Sequence, residues 1–202
     1  MTGRTLEMWL DFGCPWSRFA LAELSVGIAS APQELDVCLR AHRLDPAAPA
    51  DYGQTTIEHL CAELGIDPEA ADRMLDRVRD AGAPLGIGFN FAIARGGSTF
   101  DAHRLLVLAH DYGRQLPLAT NFFRAHFEDG LLLSDFATLR TLAQAAGLPA
   151  QPVAELLASD THGDEVLTAE AAVRAAGITT RPAFRLAGQW LPAEWQPHAL
   201  TP

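Results

Sequence analysis

The sequence predicts an α/β fold: a β-α-β unit, a long helical block and a closing β-hairpin, with the two ends forming one core into which the block is inserted. Three observations carry this. The apolar run Leu6-Glu7-Met8-Trp9-Leu10-Asp11-Phe12 passes through Cys14-Pro15-Trp16-Ser17 into a segment of helical spacing. From residue 45 onward the chain reads as helices in series. The tail then returns to the short β runs Ala183-Phe184-Arg185-Leu186 and Gln189-Trp190-Leu191 across an Ala187-Gly188 turn.

Each element has its own signal. Residues 6–12 are apolar enough for a buried strand, and over residues 16–28 Phe19, Ala20, Leu24 and Ile28 recur at helical spacing. In residues 34–42, Leu35, Val37, Leu39 and Ala41 alternate on one face, which is a strand pattern. Asp45-Pro46-Ala47-Ala48-Pro49 breaks the chain. Thr55 and Glu58 then form a capping box before Ile57, Leu60, Cys61 and Leu64 on one helical face. Asp67-Pro68 opens a helix that closes near Gly82, and Leu85, Ile87, Phe89, Phe91 and Ile93 alternate as an extended stretch. Ser98 and Asp101 start a helix that ends at Gly113. Further helices are expected near 119–129, at 135–146 with Ser134 as cap, near 153–158, and at 164–176 with Gly177 as stop. The layout is a thioredoxin-like core, residues 1–44 and 165–202, around an inserted helical subdomain, 45–164.

With 202 residues, 49% of them hydrophobic, the chain can bury one core together with such an insertion. A net charge of -10 argues against nucleic acid and anionic membranes as partners, because both select basic patches. No apolar run approaches the roughly 20 residues needed to span a bilayer, and no signal-type stretch precedes the first strand, so a cytoplasmic location is expected. Cys14, Cys38 and Cys61 form neither a disulfide framework nor a metal-type pair, which fits a reducing compartment.

Cys14 is the best candidate for chemistry. It stands where a strand meets a helix, with Pro15 in the first turn, where a missing N–H costs nothing. Unpaired amides and the helix dipole favour thiolate there, so the expected thiol pKa lies below the free value of about 8.5 and the expected chemistry is thiol–disulfide exchange. Ser17 sits one turn further, where a dithiol site would place a second cysteine. Its hydroxyl can stabilise a thiolate but cannot close a disulfide, so an attacked disulfide would persist as a mixed disulfide until an external thiol released it.

These residues resemble a family. Asp11-Phe12-Gly13-Cys14-Pro15-Trp16 is similar to the active-site start of DsbA-like proteins of the FrnE type, and Ser98-Thr99-Phe100-Asp101-Ala102-His103-Arg104-Leu105 is similar to a helix opening of that family. The stretch from Phe123 to Gly130, and the run from Asp164-Glu165-Val166 through Ala172 to Phe184, resemble its later motifs. Ser17 in place of a second cysteine, Ser98 in place of asparagine and Thr180-Arg181-Pro182 are departures from the pattern. Two branches of the same fold, the glutathione-dependent 2-hydroxychromene-2-carboxylate isomerases and the kappa-class glutathione transferases, carry a Ser-Pro-Tyr-Ser-like start, and Cys-Pro-Trp-Ser lies between the two patterns. The resemblance implies that Pro182 is a cis-proline beside Cys14.

The function expected is that of a thiol–disulfide oxidoreductase with the single active-site thiol Cys14, assisted by Ser17 and resolved by glutathione. The alternatives are a glutathione-dependent isomerase or transferase of an aromatic or polyketide-like substrate, and a non-catalytic thioredoxin-like binding module. Trp16, Arg181, Pro182 and His103 are the candidates for holding substrate or glutathione. Arg181 would attract a carboxylate or stand solvated, and His103 would assist proton transfer or fill the core. No tightly bound cofactor and no metal site is expected. Glutathione or another thiol or disulfide is the expected partner, and a homodimer is open. Cys38 and Cys61 are read as packing residues that could resolve Cys14 only at Cα separations within about 7 Å. The phenylalanines 89, 91, 122, 123 and 127 are expected to build the helical core and to line a groove beside it.

Overall fold

A computed structural model describes residues 4–30 and 35–200; Glu34, expected to open the second strand, lies outside the described residues. The first strand, β1 (Arg4–Leu10), runs parallel to β2 (Leu35–Ala41) and antiparallel to β3 (Ala183–Leu186). With β4 (Gln189–Trp190) the sheet order is β2-β1-β3-β4, and the register sets Leu6 opposite Val37 and Leu186. The largely apolar character of β1 from Leu6 to Leu10 follows from this central place, since a strand covered on both faces has no solvent side to keep polar. Leu6, Met8 and Leu10 join the main core, while Trp9 packs with Val173 and donates its indole N–H to the Ala169 carbonyl at 3.0 Å. Glu7, buried inside β1, is held by Arg40 on one flanking strand and Arg185 on the other.

The helix α1 (Pro15–Ser30) connects β1 to β2. The inserted helices are α2 (Thr56–Leu64), α3 (Pro68–Gly82), α4 (Phe100–Asp111), α5 (Gln115–Phe127), α6 (Phe136–Ala145) and α7 (Ala150–Leu157), followed by α8 (Gly163–Ala175). Their apolar faces share one core with the sheet: Leu24 of α1, Leu105 of α4, Phe122 of α5 and Val153 of α7 belong to the same cluster as Met8. Gln115 closes the free edge of β2. Its amide oxygen accepts from Leu39 N at 2.8 Å and its NH2 donates to Leu39 O at 3.1 Å, so a side chain takes the part of a neighbouring strand. Arg104 performs a similar task at the end of α7, donating to the carbonyls of Leu156, Ser159 and Thr161. Among the described residues no helix is long and apolar enough to cross a membrane.

The Thr55–Glu58 capping box forms as expected. Three local expectations are corrected. Residues 85–93 are not one extended stretch: a short 3-10 turn (Ala83–Leu85) leads into coil and then a turn. The alternation there serves single aromatics dropping between helices, Phe89 stacking on Phe91 at 5.1 Å, and Asn90 N donates to Phe127 O rather than to a strand. The cap of α6 is Asp135, whose carboxylate accepts from Thr138 N, while the Ser134 hydroxyl goes to Ala50 O. The residue before α4 is Thr99, and its hydroxyl does not cap the helix because it is used elsewhere.

Candidate active site

Cys14 caps α1. Its N–H donates to Asp11 O at 3.1 Å, and its carbonyl receives Ser17 N at 3.1 Å and Arg18 N at 3.3 Å, which turns the chain from strand end into helix. The thiol is therefore where helix-start amides reach it, but its protonation departs from expectation. Cys14 is only 4% exposed, and burial pushes the thiol up. The Ser17 amide and hydroxyl and the Trp16 amide favour thiolate without overcoming burial, and the charge of Asp11 adds to the rise. The helix-start amides act on the sulfur as expected, but the folded chain covers it so completely that desolvation outweighs them.

Beneath the thiol lies a buried polar cluster centred on Asp11. Its carboxylate accepts from the Thr99 hydroxyl at 2.7 Å and from Leu44 N at 2.7 Å, with His103 Nε2 at 3.4 Å. Burial alone would raise this carboxyl. The bond and charge of His103, with the Leu44 amide and Thr99 hydroxyl, instead hold it down at about 2. Asp11 thus ties the active-site turn to the end of β2 and to the start of α4, and Asp11 N also donates to Ser17 Oγ at 3.4 Å. His103 is a core histidine, its ring 4.7 Å from Phe12 and 1% exposed, so it reaches the thiol only through Asp11.

On one side of the turn, Trp16, Arg181 and Pro182 line a groove of about 450 Å³ with Trp195 and Leu85. The Arg181–Pro182 bond is cis. Arg181 is neither free nor simply solvated: its guanidinium donates to His42 O and Arg43 O at 2.8 Å and to Thr179 O at 3.2 Å. It fastens the loop before β3 to the end of β2. Trp16 is 53% exposed, a large ring presented at the rim.

On the other side, a cavity of about 360 Å³ opens between Asp11, Gly13 and Pro15 and the inserted helices, with Phe91 and Phe127 in its wall. The structure therefore sets Trp16, Arg181 and Pro182 together in the groove, keeps Cys14 and Ser17 buried in the adjoining turn without lining it, and places His103 against Asp11 in the core. Cys38 is buried on β2 and Cys61 is half-buried on α2, a helix with no fully buried residue; all three thiols are free. Asp11, Thr99 and His126 were missed as site residues. Asp11 carried a usable signal, since a carboxylate ending an apolar strand must find partners once buried. Those partners lie 33 to 92 positions away and were not legible.

The DSBA-like thioredoxin domain family model matches residues 5–200. Among solved structures, a probable DsbA oxidoreductase from Streptomyces coelicolor is 32% identical with a TM-score of 0.84, covering 98% of this chain and 88% of its own. The cytosolic disulfide reductase DsbM from Pseudomonas aeruginosa is similar in fold at 17% identity and a TM-score of 0.63, covering 93% and 89%. A 2-hydroxychromene-2-carboxylate isomerase shares the fold at 14% identity and a TM-score of 0.60, covering 97% and 90%. No curated protein matches the chain significantly.

Proposed function

The chain belongs to the DSBA-like thioredoxin family, and we propose that within it this protein is a single-thiol thiol–disulfide oxidoreductase that works in the reducing direction with glutathione as resolving thiol. The observation that carries this is the pairing of Cys14 at the start of α1 with a fully buried Ser17 one turn on. Strong thiol oxidants depend on a stabilised thiolate, which makes the active-site cysteine a good leaving group. Burial works against this at Cys14, so the mixed disulfide is favoured over an expelled thiolate. The relative from Pseudomonas aeruginosa, a disulfide reductase, has also been solved with GSH, which is in keeping with this reading.

The cycle balances with glutathione alone as reductant. The Cys14 thiolate attacks the glutathione sulfur of a mixed disulfide R–S–S–G, forming Cys14–S–S–G and releasing R–S⁻, which is protonated to R–SH. A glutathione thiolate then attacks the glutathionyl sulfur, releasing Cys14 and giving oxidised glutathione. The net reaction is R–S–S–G plus glutathione to R–SH plus oxidised glutathione. Trp16 and Pro182 would hold the peptide-like arm in the groove between them. Intact mass after treatment with oxidised glutathione tests this: one adduct is expected, and none in Cys14→Ser. An adduct confined to Cys61 would refute it. Binding of reduced glutathione without any adduct would favour the isomerase or transferase alternative.

A further inference from the structure

A further cavity, of about 270 Å³, lies between the end of β2 and the last turn of α8, with His42, Arg43, Glu170, Arg174, Thr179 and Arg181 in its wall. The proposed thiol exchange makes no use of it, although Arg181 stands at its border with the Trp16–Pro182 groove. Its charges do not cancel. Glu170 is 6% exposed and is bonded through both carboxylate oxygens to Arg43, Oε1 to Nε at 2.6 Å and Oε2 to Nη2 at 3.0 Å, so that pair is neutral as a unit. Arg174 follows Glu170 by one helical turn, yet among the described residues it has no ion-pair partner. Arg181 donates to three carbonyls, which fix its place without cancelling its charge. Two guanidinium charges are therefore uncompensated in one small space of a chain whose net charge is -10.

His42 points to the same kind of occupant. It is 8% exposed, and its Nδ1 is buried with no hydrogen-bond partner among the described residues. Burial and the charge of Arg181 push the imidazole down to about 4, so near pH 7 the ring is neutral and carries one N–H. No bond to a described residue fixes which nitrogen holds that proton or which way the ring is turned. Buried polar groups are ordinarily paired, and an oxygen atom in this cavity would supply the missing partner. An arginine in a last turn also suits the negative end of the helix dipole. That role accounts neither for the charge of Arg181 nor for the unpaired imidazole.

We propose that this cavity binds a doubly charged tetrahedral oxyanion, such as the phosphate group of a small phosphomonoester, held between Arg174 and Arg181 with the His42 ring donating a hydrogen bond. A dianion balances both guanidinium charges, and its several oxygens suit their forked N–H groups; a carboxylate would leave one charge unbalanced. Glutathione offers carboxylates and no dianionic group, so this seat is separate from the thiol exchange. Its test does not involve Cys14, and it can fail or hold whatever becomes of the glutathione adduct.

Calorimetric titration with phenyl phosphate, sulfate and benzoate, near pH 7.5 and at constant ionic strength in chloride, provides that test. Phenyl phosphate and sulfate should bind, and benzoate should bind about tenfold more weakly or worse. Arg174→Gln alters an exposed side chain and should weaken phenyl phosphate binding about threefold or more. Arg140→Gln, an exposed change on α6 outside the cavity wall, should leave it unaltered. In the wild-type protein, sulfate should shift the nitrogen resonances of the His42 ring, a readout that needs no variant. Equal binding of benzoate, the same affinity in both variants, no shift at His42, or displacement of sulfate by an equal concentration of reduced glutathione would each overturn the proposal.

Discussion

Replacing Asp11 with asparagine removes the one charge around which the active-site turn is organised. The side chain keeps its shape, but its single amide oxygen can accept from only one of Leu44 N and Thr99 Oγ1, so the carboxylate's charge and one accepted bond are lost together. Its carboxyl is lowered from 3.8 to about 2, and at 1.36 kcal/mol per pH unit this contributes about 2 kcal/mol of stability near neutrality. The sign follows from the depressed folded value. The contribution is fully present above pH 4, about half remains near pH 3, and it vanishes as pH falls through 2. Urea unfolding at pH 7, 4.5 and 3 should therefore show Asp11→Asn less stable by about 2 kcal/mol at pH 7, with the gap narrowing towards pH 3. Because the Asp11 charge also raises the Cys14 thiol, the variant should alkylate faster with iodoacetamide at pH 7. A stability gap that does not change with pH, or slower alkylation, would refute the assignment of Asp11 as the charged hub.

Further outcomes are expected elsewhere. Gln115→Leu leaves Leu39 N and O at the β2 edge without their partner and should cost about 2–3 kcal/mol in urea unfolding, with faster amide exchange at Leu39. His126, held neutral by burial at about 4 against an ordinary 6.5, should cost the fold up to about 3 kcal/mol as pH falls from 6.5 to 4. His126→Phe should flatten that acid limb in thermal melts, and an unchanged limb would count against it. Ser17→Cys sets a second thiol one turn from Cys14 and should shorten the lifetime of the glutathione adduct, read by time-resolved intact mass. A lifetime equal to that of the parent would mean that the two sulfurs do not meet.

Much of this molecule is local and so can be read along the chain. The largely apolar run of β1 called for a buried strand, the Thr55–Glu58 box and Asp67-Pro68 called for helix starts, and Cys14-Pro15 called for a thiol at the head of α1; each depends on neighbours within a turn or two. Errors arose where a local pattern has more than one tertiary solution. Alternating aromatics at 85–93 suit an extended chain equally well when each ring drops between helices, and Thr99 gives up capping because a carboxylate 88 positions away needs its hydroxyl.

The protonation state of the site belongs wholly to the tertiary structure. The sequence placed Cys14 at a helix dipole, but whether the sulfur is thiolate or thiol depends on how much of the chain covers it, and coverage is a sum over distant segments. The same holds for Arg181, which donates to the carbonyls of His42 and Arg43, 139 and 138 residues away. The chain by itself determined which chemistry is possible, because that rests on residue type and helix position. Which of its charges are paired, and which side chains still have a bond to offer, was decided by packing between residues the sequence keeps far apart.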